Sequence, residues 1–301
     1  MSEKRGYRAG MVALVGRPNA GKSTLLNRLV GAKVAITSNK PQTTRHRILG
    51  VLTRPGGQVV FVDTPGVHRP HYRMNKRMMD ATRAALHDVD LVALLVDVTE
   101  DPGAGQRYAI DLVDKVEAPA FLLLNKVDRI AKHRLLPMIA SLSKKGSWAE
   151  VIPISALKGD NCERFLDAAL GYLPEAAPLF PDDALTDRSE RFLTAELVRE
   201  QLLCRTRDEL PYTTAVAVDE WQEPEQEGGT VRIFATIMVD AESQKPIVIG
   251  RGGKMLKAVG TAAREQIEEM LGRRVFLDLR VKVRSGWRED APILDRLEIE
   301  G

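Results

Sequence analysis

Eight consecutive residues near the N-terminus constrain the fold more than any other part of the chain. Residues 16–23 read Gly-Arg-Pro-Asn-Ala-Gly-Lys-Ser and match the pattern GxxxxGK[ST]. They follow an apolar run at 10–16 and open an amphipathic stretch at 22–31. A glycine-rich turn between a strand and a helix lets backbone N–H groups surround phosphates, and the helix N-terminus adds partial positive charge. The pattern predicts an α/β domain that binds a nucleoside phosphate.

Apolar runs and amphipathic stretches alternate through the first half of the chain. The runs are rich in Val, Leu and Ile without alternating polarity, which is typical of strands buried on both faces of a mostly parallel sheet. Strands are predicted at 10–16, near 47–53, and at 58–63, 91–97, 119–125 and 150–155. Helices are predicted at 22–31, 73–88, 104–117, 132–145 and 160–171. We therefore expect a P-loop domain at 1–173 with helices on both faces of the sheet.

Composition excludes several classes of protein. The chain has 301 residues, enough for two domains, and its 44% hydrophobic and 28% charged residues are typical of globular proteins. The apolar run at 91–96 is too short to span a membrane, and the N-terminus lacks the apolar core of a signal peptide. Cys162 and Cys204 stand alone, which argues against a disulfide framework or a zinc site. We expect a cytoplasmic protein.

Candidate phosphate and metal ligands follow from the first two motifs. Lys22 is placed to reach the β- and γ-phosphates, and the Ser23 hydroxyl to bind Mg²⁺. Asp63 follows a predicted strand, where P-loop proteins place the carboxylate that holds Mg²⁺. Alone, Asp63-Thr64-Pro65-Gly66 could be a simple turn. The predicted phosphate-binding residues are Gly16, Arg17, Pro18, Asn19, Ala20, Gly21, Lys22, Ser23, Thr24, Asp63, Thr64, Pro65, Gly66 and Val67.

Two tetrapeptides at later strand ends predict which base is bound. Asn125-Lys126-Val127-Asp128 follows one run and Ser155-Ala156-Leu157-Lys158 follows another. Guanine presents N1–H and N2–H donors side by side, and one carboxylate can accept both. Adenine has no such pair and would leave the Asp128 carboxylate unsatisfied. The predicted guanine-binding residues are Asn125, Lys126, Val127, Asp128, Ser155, Ala156 and Leu157, with GTP or GDP as ligand and Mg²⁺ as cofactor.

These four elements in this order resemble the G1, G3, G4 and G5 boxes of the TRAFAC class of GTPases. The segment TSNKPQTTRHRILG at 37–50 is similar to the Era subgroup of that class. The resemblance implies a switch I segment formed by Gln42, Thr43, Thr44, Arg45 and His46, in which one threonine hydroxyl binds Mg²⁺ only when GTP is present. By position, Thr44 is favoured over Thr43. The implied catalytic residues are Lys22, Thr44 and Gly66, and the implied metal ligands are Ser23, Thr44 and Asp63.

Val67 departs from the pattern of Ras-like GTPases, which carry at this position the glutamine that orients the attacking water. A valine side chain forms no hydrogen bond to water. We therefore expect slow intrinsic hydrolysis, with the water positioned by the backbone or by another group, including one supplied by a partner.

A second domain is predicted after a proline-rich linker. Residues 174–187 contain Pro174, Pro178 and Pro181, which prevent a regular helix, and this linker is expected to set an interdomain hinge. Residues 188–301 then predict a helix at 188–204, strands at 212–220 and 230–239, helices at 243–249 and 253–271, and a strand at 274–283. This order resembles the α+β type II KH domain.

A GxxG loop lies between the last two predicted helices. A glycine-rich turn lets a nucleic-acid backbone approach closely, and KH domains clamp nucleotides in this way. The segment 245–288 carries a net charge of +7 although residues 181–301 carry −6, so it forms a local basic patch. The resemblance implies RNA binding by Ile249, Gly250, Arg251, Gly252, Gly253, Lys254 and Lys257. A packing module with an incidental GxxG remains the alternative.

The two domains together resemble Era-type GTPases over essentially the whole chain. This resemblance implies a GTP-hydrolysing switch that binds 16S rRNA near its 3′ end and acts in assembly of the small (30S) ribosomal subunit, as a monomer. It also implies peripheral association with the inner membrane, for which the sequence shows no amphipathic anchor. Two alternatives stay open: a membrane or cell-cycle signalling GTPase whose KH-like domain binds protein, and a phosphotransferase, which a preference for ATP would favour.

Overall fold

The computed structural model describes residues 6–40, 42–66, 72–101, 103–206, 210–226 and 228–299, and these residues form two sheets. A six-stranded sheet lies in the first half of the chain and a three-stranded sheet in the second. Throughout the described ranges, every helix is too short or too polar to cross a membrane.

The strands of the first sheet coincide with the apolar runs. They are β1 (Arg8–Gly16), β2 (Ile48–Arg54), β3 (Gly57–Asp63), β4 (Leu91–Asp97), β5 (Ala120–Asn125) and β6 (Glu150–Pro153). Their order is β2-β3-β1-β4-β5-β6; β2 runs antiparallel to β3 and the other pairs are parallel. Every residue of β3, β4 and β5 is buried, which explains why these strands lack polar alternation. The carboxyl ends of β1, β3, β4 and β5 therefore share one edge, where ligands of such sheets bind.

Helices cover both faces of this sheet. They are α1 (Lys22–Val30), α2 (Arg73–Ala84), α3 (Ala104–Val113), α4 (Lys132–Leu142) and α5 (Cys162–Tyr172). Phe61 and Phe165 belong to the core on the face covered by α1 and α5, and Ile110 of α3 belongs to the core on the opposite face. Three helices end earlier than predicted, at Ala84, Val113 and Leu142. After α4, for example, the Ser143 hydroxyl donates to the Ile139 carbonyl at 2.7 Å and the chain tightens into a 3₁₀ turn.

The second half forms a separate layer of helices on a sheet. Its elements are α6 (Glu190–Arg205), α7 (Leu210–Thr213), β7 (Ala215–Gln222), β8 (Val231–Val239), α8 (Lys245–Ile249), α9 (Lys254–Leu271), β9 (Val275–Val283) and α10 (Ala291–Arg296). The central strand β8 pairs antiparallel with β7 and parallel with β9. Aliphatic side chains of α6 and α9, such as Val198 and Val259, share one buried core with the sheet. This order confirms the predicted type II KH fold.

The strand predicted at 212–220 begins later in the structure. Residues Leu210–Thr213 form the helical turn α7, and the Thr214 N–H donates to the Leu210 carbonyl at 3.1 Å. The extended strand therefore begins only at Ala215. Pro211 lacks the N–H that a strand ladder uses, which is consistent with a turn at this point.

The proline-rich segment 174–187 lies along the first sheet instead of bridging open space between the domains. Gly50 of β2 forms a β-bridge with Thr186, and the Val51 N–H donates to the Leu185 carbonyl at 2.9 Å. The buried Gln58 side chain accepts hydrogen bonds from the N–H groups of Leu179 and Phe180, at 2.7 and 2.9 Å. These contacts satisfy an exposed strand edge. They also hold the segment that was expected to act as a hinge.

Candidate functional site

The glycine-rich loop connects β1 to α1. β1 ends at Gly16, and Gly21 caps α1 with a left-handed φ of +98°. Gly21 packs against Asn125 at the end of β5, and a Cβ on Gly21 would overlap the Asn125 side-chain amide. Because both the backbone angle and the close approach exclude a side chain, glycine is required where the loop turns into the helix.

Lys22 lies over this loop with its side chain buried. Its Nζ donates to the carbonyls of Gly16 and Arg17, at 3.2 and 3.3 Å. Burial lowers the pKa of Lys22, and the nearby Asp63 carboxylate acts in the opposite direction. The ammonium group is thus held at the mouth of the loop, where a phosphate would compete with two weak carbonyl contacts.

Three oxygen-bearing side chains meet beside Lys22. Ser23 Oγ donates to Asp63 Oδ2 at 2.7 Å and lies 2.8 Å from Thr44 Oγ1, which also donates to Asp63 Oδ2, at 3.2 Å. Asp63 Oδ1 is buried and has no hydrogen-bond partner among the described residues. Burial raises the pKa of Asp63, while Lys22 and the two hydroxyls oppose that shift. A buried, unpartnered carboxylate oxygen beside two hydroxyls is a donor set that fits Mg²⁺.

The two candidate switch I threonines occupy different environments. The Thr43 hydroxyl donates to the Lys40 carbonyl at 2.6 Å, so it is engaged within its own segment. Thr44 is buried and its hydroxyl contacts both Ser23 and Asp63. Gln42, with a φ of +58°, turns the chain just before them. The placement of the Thr44 hydroxyl is what the metal-ligand prediction requires.

The residues after Asp63 run along the phosphate end of the site. The Thr64 hydroxyl donates to the Leu14 carbonyl at 2.9 Å and ties this turn to β1. The Pro65 carbonyl accepts from the Thr82 hydroxyl of α2 at 3.4 Å. The same Thr82 hydroxyl lies closer to the Met78 carbonyl, at 2.9 Å, so the firm bond of this loop is the one from Thr64 to the sheet.

Gly66 lies against the glycine-rich loop. A Cβ on Gly66 would stand 2.8 Å from Cα of Pro18, so a side chain here would separate the two loops. Val67, on which the expectation of slow hydrolysis depends, lies outside the described residues.

Asn125 links three loops at the other end of the site. Its side-chain amide donates to the Ala20 carbonyl at 2.7 Å, and its carbonyl oxygen accepts from the Ala156 N–H at 2.9 Å. Both ends of the amide are therefore engaged with protein backbone. Although predicted to bind guanine, Asn125 connects the phosphate loop to the loop after β6.

Asp128 and Ser155 form the base end of the site. The Ser155 hydroxyl donates to Asp128 Oδ1 at 2.7 Å and accepts from the Lys158 N–H at 3.1 Å. Val127 lies in the 3₁₀ turn that carries Asp128, and the side chain of Leu157 is exposed at the rim. Ser155 thus orients one oxygen of the Asp128 carboxylate, Oδ1, and leaves Oδ2 without a bond from that hydroxyl.

Lys126 forms an ion pair that the sequence analysis did not anticipate. Its Nζ bonds Asp97 Oδ2, and the Thr99 hydroxyl donates to Asp97 Oδ1 at 2.6 Å. Burial raises the pKa of Asp97, but the hydrogen bonds from Lys126 and Thr99 outweigh it and the net pKa is lowered. The position of Asp97 at the end of β4, like Asp63 at the end of β3, was the available signal.

One cavity of about 470 Å³ joins these features. Its size suits a nucleotide, since ligand pockets commonly span about 300–1,000 Å³. It is lined by Pro18, Asn19, Gly21, Lys22, Ser23, Thr24, Gln42, Thr43, Thr44, Gly66, Asp97, Thr99, Asn125, Lys126, Asp128, Ala156, Leu157 and further residues of 36–39, 100 and 129. The structure therefore brings the four predicted motifs to a single site.

Arg45 and His46 point away from that cavity and into the junction between the domains. Both side chains are buried. Arg45 donates to the Thr214 carbonyl at 2.8 Å and to the Pro211 carbonyl at 3.0 Å. His46 Nδ1 lies 3.1 Å from the Glu298 carbonyl. The segment predicted as switch I therefore contacts the metal corner through Thr44 and the second domain through the next two residues.

The junction also includes charged residues of α6 that no local pattern indicated. Arg199 donates to Glu196 through two bonds of 2.7 and 2.6 Å, and to the Thr43 carbonyl. Glu200 accepts from the Thr37 N–H at 2.8 Å. All three α6 side chains are buried at the interface. They became visible only when the fold brought α6 against switch I.

The GxxG loop of the second domain lies between two helices. α8 ends at Ile249, residues 251–253 form a 3₁₀ turn and α9 begins at Lys254. The three glycines at 250, 252 and 253 all have positive φ, of 73°, 58° and 76°. The basic side chains predicted to bind RNA are exposed, namely Arg251, Lys254 and Lys257. The loop therefore presents backbone and positive charge to solvent.

Comparison with protein families matches two parts of the chain. Residues 11–126 match the family described as 50S ribosome-binding GTPase, and residues 209–288 match the KH domain family. The chain is similar to GTPase Era of Geobacter metallireducens, with 48% identity over 97% of each chain. It is also 48% identical to GTPase Era of Lactobacillus helveticus, over 98% of this chain and 97% of the relative.

Solved structures show the same likeness. A crystal structure of Era in complex with MgGDPNP and nucleotides 1506–1542 of 16S ribosomal RNA matches with a TM-score of 0.95 and 38% identity. A crystal structure of Aquifex aeolicus Era bound to GDP and AlF₄⁻ matches with a TM-score of 0.94 and 38% identity. Each covers 98% of this chain and all of the other. The chain therefore belongs to the GTPase Era family.

Proposed function

We propose that this protein is a GTP-hydrolysing switch that binds ribosomal RNA through its second domain. One observation carries the proposal: adjacent residues of a single segment contact the metal corner of the nucleotide site and the second domain. Thr44 lies 2.8 Å from Ser23 in the metal corner, and Arg45 donates to the Thr214 carbonyl of the second domain at 2.8 Å. Because Thr44 and Arg45 are consecutive residues, a movement of Thr44 at the γ-phosphate end of the cavity would act directly on the contacts between the domains.

Different residues of the first domain bind different parts of the nucleotide. In this proposal the loop 16–21 and Lys22 bind the phosphates, and Ser23, Thr44 and Asp63 hold Mg²⁺, with Asp63 Oδ1 as the free carboxylate oxygen. Bound Mg²⁺ would neutralise charge on the phosphate oxygens. Asp128, oriented by Ser155, accepts the two donors of guanine, and Asn125 keeps the phosphate and base loops in register.

Hydrolysis is proposed to be slow in the isolated chain. A valine side chain carries no hydrogen-bonding group, so the valine at position 67 cannot orient the attacking water as glutamine does in Ras. Lys22, Thr44 and Gly66 are the proposed catalytic residues: Lys22 stabilises phosphate charge, Thr44 holds the ion, and the backbone at Gly66 faces the phosphate loop. A partner that supplies a water-positioning group would raise the rate.

The second domain is proposed to bind 16S rRNA near its 3′ end. The similar Era structure contains nucleotides 1506–1542 of that RNA, and the GxxG loop of this chain has the geometry and exposed basic residues that KH domains use. Because 16S rRNA belongs to the small subunit, we propose a role in 30S assembly, as a cytoplasmic monomer. Association with the inner membrane would be peripheral.

Binding of a labelled 3′-terminal 16S rRNA fragment tests this function. The protein is titrated with Mg²⁺ and either GDP or a non-hydrolysable GTP analogue, at two salt concentrations. We expect tighter binding in the GTP form and weaker binding at the higher salt, since phosphate contacts release counterions. Equal affinity in both nucleotide states would remove the coupling, and no binding would favour the protein-binding alternative.

A matched pair of variants locates the RNA site. Arg251→Ala with Lys254→Ala removes two exposed charges beside the GxxG loop, whereas Lys144→Ala with Lys145→Ala removes two exposed charges from the first domain. We expect only the first pair to weaken RNA binding, by about tenfold, and to reduce its salt dependence. Equal effects of the two pairs would indicate non-specific attraction.

A further inference from the structure

We propose that Arg199 and Glu200, on α6 of the second domain, are positioning residues for the nucleotide site of the first domain. Glu200 bonds Thr37, in the chain that leads into switch I, and Arg199 bonds Thr43 within switch I, so that Thr44 is presented to the metal corner. This inference rests on the proposed function, because it concerns the GTP-bound state of that same site.

Arg199 bonds switch I next to Thr44. One guanidinium nitrogen donates to the carbonyl of Thr43, so the bond is made to the peptide group that joins Thr43 to Thr44. Glu196 orients the guanidinium through two hydrogen bonds, of 2.7 and 2.6 Å. Arg199 and Glu196 are both buried, at 2% and 6% exposure, so solvent does not compete for these bonds.

Glu200 bonds the chain that leads into switch I. Its Oε1 accepts from the Thr37 N–H at 2.8 Å, and its Oε2 pairs with Lys33 Nζ at 2.5 Å. Glu200 is itself buried, at 3% exposure. The neighbouring residues Arg199 and Glu200 therefore contact the two ends of a segment that begins at Thr37 and reaches Thr43.

These two residues belong to a helix that packs into the core of the second domain. α6 spans 16 residues, and its apolar side chains belong to the core of the second domain. Holding both ends of a short loop removes much of the conformational freedom that would otherwise oppose binding of Mg²⁺ by Thr44. GDP does not require the switch I threonine, so the benefit should be confined to the GTP state.

General stabilisation is the competing explanation for these contacts. Buried ion pairs often add little net stability, because desolvation offsets their attraction. A purely structural role would also leave the ratio of GTP to GDP affinity unchanged. If the contacts position Thr44, removing them changes that ratio. The contacts also make GTP binding depend more steeply on Mg²⁺ than it would without them.

The first test replaces the Glu196–Arg199 pair by methionines, Glu196→Met with Arg199→Met, which avoids leaving one buried charge alone. We expect the affinity for a non-hydrolysable GTP analogue, and the single-turnover hydrolysis rate, to fall about tenfold. GDP affinity should change less than about twofold. Arg205→Met on the same helix is the control, since the described hydrogen bonds of Arg205 stay within α6. Equal losses for GTP and GDP would overturn the proposal.

A triple variant asks whether the effect passes through Thr44. In a Thr44→Val background, the methionine pair should cause no further loss of GTP-analogue affinity, because contacts that act through one group are not additive. Full additivity would show that the pair acts by another route.

Glu200 supplies a second, independent readout. Glu200→Ala should weaken GTP-analogue binding at limiting Mg²⁺, and Glu200→Gln, which keeps an acceptor for Thr37, should restore most of it. If Gln fails to rescue, the Thr37 contact does not position the segment. The proposed function fails separately: in that case the unmodified chain would itself show no Mg²⁺-dependent binding of the GTP analogue.

Discussion

The nucleotide site and the domain junction are both built from buried polar side chains, but the chain assembles them in different ways. In the nucleotide site, Lys22 follows β1 through the glycine-rich loop, and Asp63 and Asn125 are the last residues of β3 and β5, so the parallel sheet brings them to one edge. In the junction, Arg45 bonds a carbonyl 169 residues away and His46 bonds one 252 residues away. One site is set by local motifs, and the other by how two domains pack.

The two regions also manage charge differently. In the nucleotide site, Asp63 Oδ1 is buried without a hydrogen-bond partner among the described residues, and the Lys22 ammonium donates to the carbonyls of Gly16 and Arg17. In the junction, Arg45 donates to backbone carbonyls, Arg199 pairs with Glu196, and His46 packs edge-on against Phe192 with ring centroids 4.7 Å apart. One nitrogen each of Arg45 and Arg199, Nε and Nη1, is buried without a partner among the described residues. Variants should therefore affect ligand binding in the first region and domain docking in the second.

The largest expected effect lies at the base end of the nucleotide site. Asp128→Asn replaces a group that accepts two hydrogen bonds by one that donates on one side, so guanine loses a partner. We expect GTP affinity to fall about 10³-fold, or ~4 kcal/mol. Xanthosine triphosphate, which carries a carbonyl in place of the guanine amino group, should bind better than to the unmodified protein. Equilibrium titration of both proteins with GTP and with xanthosine triphosphate measures this change in nucleotide preference.

A nearby carboxylate provides the control for that change in nucleotide preference. Asp160 is exposed beside the same loop and contributes its backbone carbonyl to the Ser155 N–H at 3.0 Å. Asp160→Asn should leave the nucleotide preference unchanged. A similar loss of GTP affinity in both variants would mean that net charge, not base recognition, explains the effect of Asp128.

In the junction, Arg45→Met should destabilise docking of the domains and spare GDP binding. The substitution leaves the carbonyls of Pro211 and Thr214 without their donor in a buried place, at a cost of about 3 kcal/mol. Urea unfolding followed by tryptophan fluorescence measures this, because the Trp287 ring centroid lies 5.5 Å from the Arg45 guanidinium. Arg296→Met, which removes an exposed ion pair to Asp219, should cost less than about 1 kcal/mol.

The same contrast explains what the sequence could predict. The strands were recognisable because each is a short apolar run, and the site motifs because they follow those runs. Arg45 and His46 share a segment with Thr44, yet their buried partners lie on α7 and near the end of the chain. No local spacing encodes such partners. For the same reason the sequence did not indicate that the Asn125 amide also bonds the backbone of Ala20 and Ala156.

A pH dependence should come from the junction. Burial lowers the pKa of His46 to about 4, against opposing effects of the Glu196 carboxylate and the Glu298 carbonyl; Arg199 and Arg188 lower it further. In the unfolded chain His46 takes up a proton near pH 6.5, whereas in the folded chain it does so only near pH 4. Protonation therefore favours the unfolded chain, and the free energy of unfolding decreases as pH falls. Between about pH 7 and pH 5 this amounts to about 2 kcal/mol.

Comparing variants isolates this contribution from that of other groups. Asp63 has a raised pKa and acts in the opposite direction as pH falls. Urea unfolding at about pH 7 and pH 5 should show a smaller pH effect in His46→Gln than in the unmodified chain. His87→Gln, at an exposed position, should keep the full dependence. Identical profiles for all three proteins would remove His46 as the cause.

The smallest effect concerns the residue that links the two regions. Thr44→Val removes the hydroxyl beside Ser23 and Asp63, and it should reduce single-turnover GTP hydrolysis about tenfold without changing GDP affinity. Thr43→Val removes only a bond to the Lys40 carbonyl and should change hydrolysis less than about twofold. The reverse ranking would place the metal ligand at Thr43. Similar effects of both would mean that the segment acts through its backbone and its contacts with the second domain, so that the nucleotide site and the junction would function as one unit.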